Sequence, residues 1–317
     1  MQTPLNVGVD VAKDQVMVAC ADATFETRTI SNRPAALKAW LQGLPAGCRI
    51  GMEATGSYHQ VLADLAQGLG FVVYVLNPKD TRYYARGLGR RAKTDRVDAE
   101  LIARYVAHEH TGLHPYLPPS PAQRMLEQIV RRRAHLVRTR VALQATTREL
   151  QGFQSECQTV VQHLDALIVA LETRLKQLLQ ATQPQREALQ RLRSIPGVGV
   201  IVGAALVAAL QRLPFASADA FVAYTGLDPR PCDSGKKIGR RRLSKRGPSE
   251  LRCLLFNAAM AGCKTKTWQA TYQRHRQRGL SSTEALVVLA RKIVRIAWSI
   301  YHHQTTFDPA KTLPALT

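Results

Sequence analysis

The chain has no paired cysteine motif and no long hydrophobic run, and each absence excludes a class of protein. Its 6 cysteines are scattered, with no CxxC pair, so neither a zinc site nor a disulfide framework is expected, and we interpret them as reduced thiols. The most apolar stretch, residues 198–210, is shorter than the roughly 18 residues that a membrane helix needs. The first residues also lack the pattern of a signal peptide. We therefore expect a cytoplasmic protein that does not span a membrane.

Acidic residues are also scarce, and their distribution is uneven. The 317 residues include 44 Lys and Arg but 23 Asp and Glu, a net charge of +21. Residues 191–317 hold 21 of the cationic residues and only 6 of the acidic ones. This excess predicts a polyanionic partner, because neutralising phosphates releases their counterions. A basic protein of the ribosomal type has the same composition. The 45% of hydrophobic residues excludes a wholly disordered chain.

Hydrophobic patterns divide the chain into three predicted parts. Residues 1–115 open with a β-hairpin, 5–11 and 15–21, and continue with alternating helices and strands, which predicts an α/β domain. The proline-rich run HPYLPPSP ends this part. Residues 116–190 contain two long helical stretches that predict a helical hairpin, and its apolar stripe favours coiled-coil dimerisation over packing onto its own domain.

Residues 191–317 are predicted to be mostly helical and begin with a candidate nucleic-acid contact. In RSIPGVGV, a tight turn joins two helical stretches, a pattern typical of a helix-hairpin-helix. Gly197 and Gly199 would let backbone N–H groups approach a phosphate; a plain corner between two helices is the alternative. On the preceding hairpin, Arg131, Arg132 and Arg133 are either a solvated face or further phosphate contacts.

Four carboxylates in the first part suggest a metal site. Asp10 ends an apolar strand, Glu53 follows the strand 49–52, and Asp95 and Asp98 share one face of a helix. If these side chains converge at the edge of the sheet, their oxygens suit Mg²⁺ or Mn²⁺, and two such ions can clamp a phosphodiester. Taken alone, each acid is better explained as a turn former or as part of a surface ion pair. Their combination with a basic second half favours the metal site.

Seven motifs in order resemble the DEDD transposases of the insertion sequence one-ten family. They are VGVDVAKD, GMEATGSY, LNPKDTR, KTDRVDA, SIPGVGVIVGAALVA, FVAYTGLDPRPCDSGKKIGRRRLSKRG and LRCLLFNAAMA. The resemblance implies a RuvC-like (ribonuclease H-type) α/β domain, a helical coiled-coil linker and a mostly α C-terminal transposase domain. The family's four acids fall on Asp10, Glu53, Asp95 and Asp98, and its catalytic serine falls on Ser234.

Ser234 lies in a turn-like Asp-Ser-Gly sequence that is followed by many cationic residues. Such cations can hold a scissile phosphate, although the residues alone describe an ordinary polar turn. Ser244 is a competing nucleophile that is better explained as a helix N-cap or a phosphate contact. The cationic residues expected to contact nucleic acid here are Lys236, Lys237, Arg240, Arg241, Arg242, Lys245 and Arg246.

The resemblance implies a transposase that recombines double-stranded DNA through a phosphoserine link on Ser234, with Mg²⁺ held by the four acids. It further implies guidance by a structured bridge RNA and a homodimer that assembles into a tetramer. One alternative is a metal-dependent nuclease of the Holliday-junction type, which would use the acids but not the serine. A non-catalytic nucleic-acid scaffold is another, and it would tolerate Asp10→Ala.

Overall fold

A computed structural model describes residues 4–20, 26–90, 94–149, 152–235, 239 and 241–311. The chain is mixed α/β and mostly helical, and it divides into two compact units, Met1–Pro118 and Pro119–Thr317. The division into three parts that the sequence predicts, 1–115, 116–190 and 191–317, remains a prediction. No helix within the described ranges combines the length and the apolar character that a bilayer crossing requires. All six cysteines are free thiols.

The first unit is built on a five-stranded sheet. Its strands are β1 (Asn6–Val11), β2 (Gln15–Cys20), β3 (Arg28–Ser31), β4 (Arg49–Glu53) and β5 (Val72–Leu76), in the order β3-β2-β1-β4-β5. Strand β2 is antiparallel to both of its neighbours, β1 and β3, whereas β1, β4 and β5 run parallel to one another. Its helices are α1 (Pro34–Gln42), α2 (Gln60–Gly68), α3 (Pro78–Gly87) and α4 (Asp95–Glu109).

Alternation along the strands separates the two faces of this sheet. Val7, Val9 and Val11 of β1 are buried in a core that includes side chains of α1 and α2. Gly8 lies on the opposite face, where α4 crosses the sheet. A Cβ at Gly8 would stand 2.1 Å from the carbonyl oxygen of Ala99, so only glycine permits this close approach.

The second unit is helical apart from one short hairpin. Its elements are α5 (Pro121–Thr146), α6 (Gln154–Gln180), α7 (Gln183–Arg193), α8 (Val200–Arg212), α9 (Ala218–Thr225), β6 (Pro229–Arg230), β7 (Arg242–Leu243), α10 (Ser249–Gly262), α11 (Lys266–Gln277) and α12 (Ser282–His303). Helix α5 starts where Ser120 and Gln123 form a reciprocal capping box, which satisfies two backbone donors after the proline run. The core surrounds α8 and α12.

The helical hairpin α5–α6 corrects part of the coiled-coil expectation. Leu126, Ile129, Leu175 and Leu179 are buried in the same core as α8 and α12. The base of the hairpin therefore packs onto its own unit, because those side chains cover the apolar α8. Further along, the hairpin exposes five large apolar side chains: Val141, Phe153, Val160, Leu167 and Val169.

Candidate functional site

Asp10 and Glu53 lie side by side at the ends of two adjacent parallel strands. Val9 of β1 pairs with Met52 of β4, so the residues that follow them are neighbours across strands about 4.8 Å apart. Both acids are partly exposed. They alternate with Val9 and Met52, which are buried on the other face. Both carboxylates therefore belong to the face that α4 crosses.

Helix α4 carries the other two predicted acids in its first turn. Its N-cap is Thr94, whose side-chain oxygen accepts a hydrogen bond from the Val97 N–H at 3.3 Å. Asp98 directly precedes Ala99, which touches Gly8 of β1, so the helix brings Asp98 to the face of Asp10. Asp95 is exposed at the start of the helix. Acidic residues there also complement the helix dipole, which is a structural reason for both.

Thr81 is a neighbour of this group that the sequence did not reveal. Its side chain is buried, and its hydroxyl donates a hydrogen bond to Oε1 of Glu53. The hydroxyl also lies 3.2 Å from the carbonyl oxygen of Pro78. Helix α3 thus holds one oxygen of Glu53. The Asn77-Pro78 pair was the available signal for α3, since Asn77 caps the helix and accepts from the Lys79 N–H at 3.0 Å.

The chemistry of the four predicted ligands suits a hard divalent cation. All four predicted ligands are carboxylates, and oxygen is what Mg²⁺ and Mn²⁺ prefer. Within the part of the chain that the structure describes, no three His, Cys, Asp or Glu side chains are grouped closely enough to hold a metal ion. The backbone therefore brings Asp10, Glu53 and the start of α4 to one face, while joint coordination by three carboxylates stays a prediction.

Ser234 lies exposed in the loop between β6 and β7. The side chain of Asp233 closes this loop, because it accepts hydrogen bonds from the Gly239 N–H at 3.1 Å and from Nη1 of Arg241 at 2.6 Å. The hydrogen bond from Arg241, together with that from Gly239, lowers the pKa of Asp233 below its usual value. Arg241 is thereby engaged by the loop itself. Lys236, Lys237 and Arg240 lie outside the described residues.

Ser244 is engaged in a different way from the one expected. Its hydroxyl donates to Oδ1 of Asp228 at 2.5 Å, and its backbone N–H donates to the Asp228 carbonyl oxygen at 3.0 Å. The expectation that Ser244 caps a helix is wrong, because α10 begins at Ser249 with Pro248 as its N-cap. The nearby cationic residues Arg242, Lys245 and Arg246 are exposed.

The two predicted phosphate-contacting glycines have different surroundings. Gly197 has φ of 96°, and a Cβ there would stand 2.4 Å from the carbonyl oxygen of Ala258 in α10. The close packing of α10 against this residue therefore explains why position 197 is a glycine. Gly199 is exposed at the N-cap of α8, and a Cβ there would have no atom within 4 Å. Only Gly199 presents an open helix start.

The arginines of the helical hairpin form contacts within the chain. Nε of Arg133 lies 2.6 Å from Oε1 of Glu172, which joins α5 to α6. Arg132 is exposed and Arg131 is partly exposed. An internal carboxylate therefore already balances the charge of Arg133, one of the three residues predicted to contact phosphate.

Comparison with known proteins supplies the family. A family model described as "Transposase" matches residues 7–151, and one described as "Transposase IS116/IS110/IS902 family" matches residues 189–274. The pilin gene-inverting protein of Moraxella bovis is 28% identical over 95% of this chain and 97% of its own length. The transposase for insertion sequence element IS1328 of Yersinia enterocolitica is also 28% identical, over 95% of this chain and 98% of its own.

The two family matches together include every predicted catalytic residue. Asp10, Glu53, Asp95 and Asp98 fall in the first match, and Ser234 falls in the second. Similarity to the relatives extends over nearly the whole chain rather than over one unit. The chain therefore belongs to the IS116/IS110/IS902 family and is a DNA transposase of the kind found in insertion sequences.

Proposed function

We propose that this transposase cuts and rejoins DNA through a covalent link between Ser234 and a DNA phosphate, assisted by Mg²⁺ or Mn²⁺ at Asp10, Glu53, Asp95 and Asp98. The observation that carries the proposal is the placement of Asp10 and Glu53 side by side on the face crossed by α4. The mixed sheet with α4 across it supports a RuvC-like (ribonuclease H-type) domain in residues 1–115.

The covalent step needs an accessible hydroxyl, and Ser234 is exposed. In this step, a bond forms between Oγ of Ser234 and phosphorus while the bond from phosphorus to the 3′ oxygen breaks. The serine gives up its proton to a base, and the departing 3′ oxygen takes one up. The phosphoserine link keeps the energy of the phosphodiester, so the strands can be rejoined without a nucleotide cofactor.

The surroundings of Ser234 support this role. The hydrogen bonds that Asp233 accepts from Gly239 and Arg241 hold the two arms of the loop together, which restricts the positions that the adjacent hydroxyl can take. Arg242 is exposed on β7, and its positive charge would balance charge on the phosphate oxygens.

The carboxylates act in the first unit. Asp10 and Glu53 present neighbouring oxygens, Thr81 orients one oxygen of Glu53, and Asp98 approaches from α4. Bound Mg²⁺ would supply positive charge that stabilises the departing oxygen. Fixed orientation of ligand oxygens by partners such as Thr81 is what a tuned metal site requires.

The proposed partners follow from the resemblance and from the charge. Double-stranded DNA and a bridge RNA are both polyanions, in keeping with the net charge of +21. We place the coiled coil in residues 116–190 and the transposase domain in 191–317. Val141, Val160 and Val169 are exposed on the hairpin, which supports its pairing with a second copy in a dimer and then a tetramer.

A trapping experiment with a nicked duplex tests the serine. The purified protein is incubated with labelled DNA and Mg²⁺, and covalent protein–DNA adducts are resolved on a denaturing gel and located by mass spectrometry. We expect the wild-type protein to carry phosphate on Ser234 and Ser234→Ala to form no adduct. Ser244→Ala is the matched control and should still form one.

The same experiment separates the alternatives. If Ser234→Ala cleaves DNA as fast as the wild type, the metal-dependent nuclease is the correct function. If Asp10→Asn forms adducts at the wild-type rate, the four acids do not assist the reaction. An adduct on Ser244 would overturn the assignment of the nucleophile.

A further inference from the structure

The last three helices contain almost no acidic residues. Between Ser249 and Phe307 the chain has nine Lys and Arg residues and two acids, Glu250 and Glu284. Some of these cations have internal partners. Arg295 lies 2.6 Å from Oδ1 of Asp219, and Arg252 donates to the carbonyl oxygens of Thr225 and Gly247. The remaining cations require a separate explanation.

Four basic residues lie on the two helices α11 and α12, which pack against each other. Arg274, His275 and Arg278 come from the end of α11, and Lys292 comes from α12. We call these four residues the α11–α12 patch. Arg274 and Arg278 are exposed, whereas His275 and Lys292 are partly buried. Nζ of Lys292 lies 5.6 Å from the ring centroid of buried Trp268, so this ammonium group is held in place by a cation–π contact.

The charges in the α11–α12 patch repel one another. Burial lowers the pKa of His275, and the charges of Arg278, Arg274 and Lys292 lower it further. Burial and the charge of Arg274 likewise lower the pKa of Lys292. In both groups burial is the largest cause of the lowered pKa, and the neighbouring cations add to it. Within the described ranges, no ion pair involves Arg274 or Arg278.

Helix electrostatics accounts for only part of this arrangement. Cations in the last turn of α11 interact favourably with the helix dipole. That effect does not explain Lys292, which belongs to the middle of α12. It also does not explain Lys266 at the start of α11, where the dipole disfavours a cation. A bound anion would relieve the repulsion.

We infer that the α11–α12 patch binds the phosphodiester backbone of a nucleic acid, and that it is a contact surface in addition to the Ser234 loop and the four acids. Arginine forks and a fixed ammonium group are suited to phosphate oxygens. Contacts of this kind position a nucleic acid without reading its sequence. The inference does not require covalent chemistry at Ser234.

The test is the salt dependence of binding by the full-length protein. The probes are a short labelled DNA duplex of arbitrary sequence and an RNA hairpin of similar length, measured by fluorescence anisotropy. The variant is Arg274→Gln/Arg278→Gln, because both side chains are exposed and the fold should survive. The matched control is Arg295→Gln/Arg191→Gln, which removes the same charge at residues paired with Asp219 and Glu187.

For duplex DNA, we expect the slope of log K against log salt to become less steep by about 0.9 per lost contact, and the affinity at 0.1 M salt to fall by about eightfold per contact. The control variant should keep the wild-type slope. A loss with the duplex assigns the patch to DNA, and a loss with the hairpin assigns it to RNA. An unchanged slope for both probes, or an equal change in the control, would overturn the inference.

The pKa of His275, measured by NMR titration, gives a second test, because a purely structural role of the patch would leave this pKa unchanged when nucleic acid is added. We expect the pKa of His275 to rise when the probe is added, because phosphate offsets the charges of Arg274, Arg278 and Lys292. If wild-type protein saturated with duplex or hairpin shows the same pKa of His275 as the free protein, phosphate does not bind at the α11–α12 patch.

Discussion

The pairing of β1 with β4 predicts that Glu53→Gln stabilises the metal-free protein. Asp10 and Glu53 are neighbours across adjacent strands. Two unit charges about 5 Å apart repel by about 3 kcal/mol at an effective dielectric constant of 20 and by about 1 kcal/mol in water. Because both side chains are partly exposed, the value near 1 kcal/mol applies. Glutamine keeps an oxygen that can accept from Thr81, so the substitution removes charge and little else.

Calorimetry in EDTA and in excess Mg²⁺ measures this effect. In EDTA we expect the melting temperature of the first unit to rise by about 2–5 °C in Glu53→Gln. At a hundredfold excess over its dissociation constant, Mg²⁺ should stabilise the wild type by about 2.7 kcal/mol and the variant by much less. Glu100→Gln is the control, since it removes an acid of α4 that pairs with Arg96 at 3.0 Å, and it should give no stabilisation in EDTA.

Two results would refute this reasoning. A Glu53→Gln protein that melts at or below the wild-type temperature in EDTA would show that the carboxylates do not repel. A variant that gains as much stability from Mg²⁺ as the wild type would show that Glu53 does not hold the ion.

Three further predictions concern single contacts. Thr81→Val should lower the affinity for Mn²⁺ by about tenfold in calorimetric titration. Thr81→Ser keeps the hydroxyl that orients Glu53 and should bind Mn²⁺ as the wild type does. Equal affinities in Thr81→Val and the wild type would exclude a positioning role for Thr81. Gly197→Ala should lower the free energy of unfolding in urea by at least about 3 kcal/mol, because φ at this residue is positive and the added Cβ would strike a backbone oxygen. Gly199→Ala should lower it by about 1 kcal/mol or less. Similar losses of stability in the two variants would contradict the close packing at Gly197. Burial raises the pKa of Tyr224 to about 12, so the unfolded chain loses its phenolic proton at a lower pH than the folded protein does. The free energy of unfolding should therefore fall by about 3 kcal/mol between about pH 10 and 12. Tyr224→Phe should remove that fall, and a wild-type protein whose stability does not fall in this range would disprove the raised pKa.

Prediction of the fold from the sequence succeeded where the hydrophobic pattern is strong. The hairpin β1–β2 and the strand β4 occur close to their predicted bounds, 5–11, 15–21 and 49–52, and the predicted alternation of helices and strands follows the hairpin. The predictions missed β3, α3 and the β6–β7 hairpin. Strand β3 is a four-residue edge strand with three exposed residues, so it has no apolar alternation to detect. In α3 only Thr81 is buried, which leaves no apolar stripe.

Prediction of the site followed a similar division. The sequence singled out Asp10 and Glu53 because each lies at the end of an apolar strand, and Asp95 and Asp98 because they share one face of a helix. The family resemblance implied the same four residues. Nothing in the sequence indicated that Thr81 would bind Glu53, or that Asp233 and Arg241 would close the loop at Ser234. Those contacts join residues 28 and 8 positions apart, and such partners are set by packing rather than by local pattern.

The sequence by itself determined the excess of cationic charge in the last third, the order of the motifs and the identity of the family, since these depend only on which residues occur and in what order. The tertiary structure decided which of those residues meet. Strand register placed Asp10 beside Glu53, and the missing side chain at Gly8 let α4 approach β1. The packing of α12 against α11 put His275 within the influence of the charges of Arg274, Arg278 and Lys292. Each of these depends on contacts between distant parts of the chain, and those contacts form only when the cores of the two units are buried.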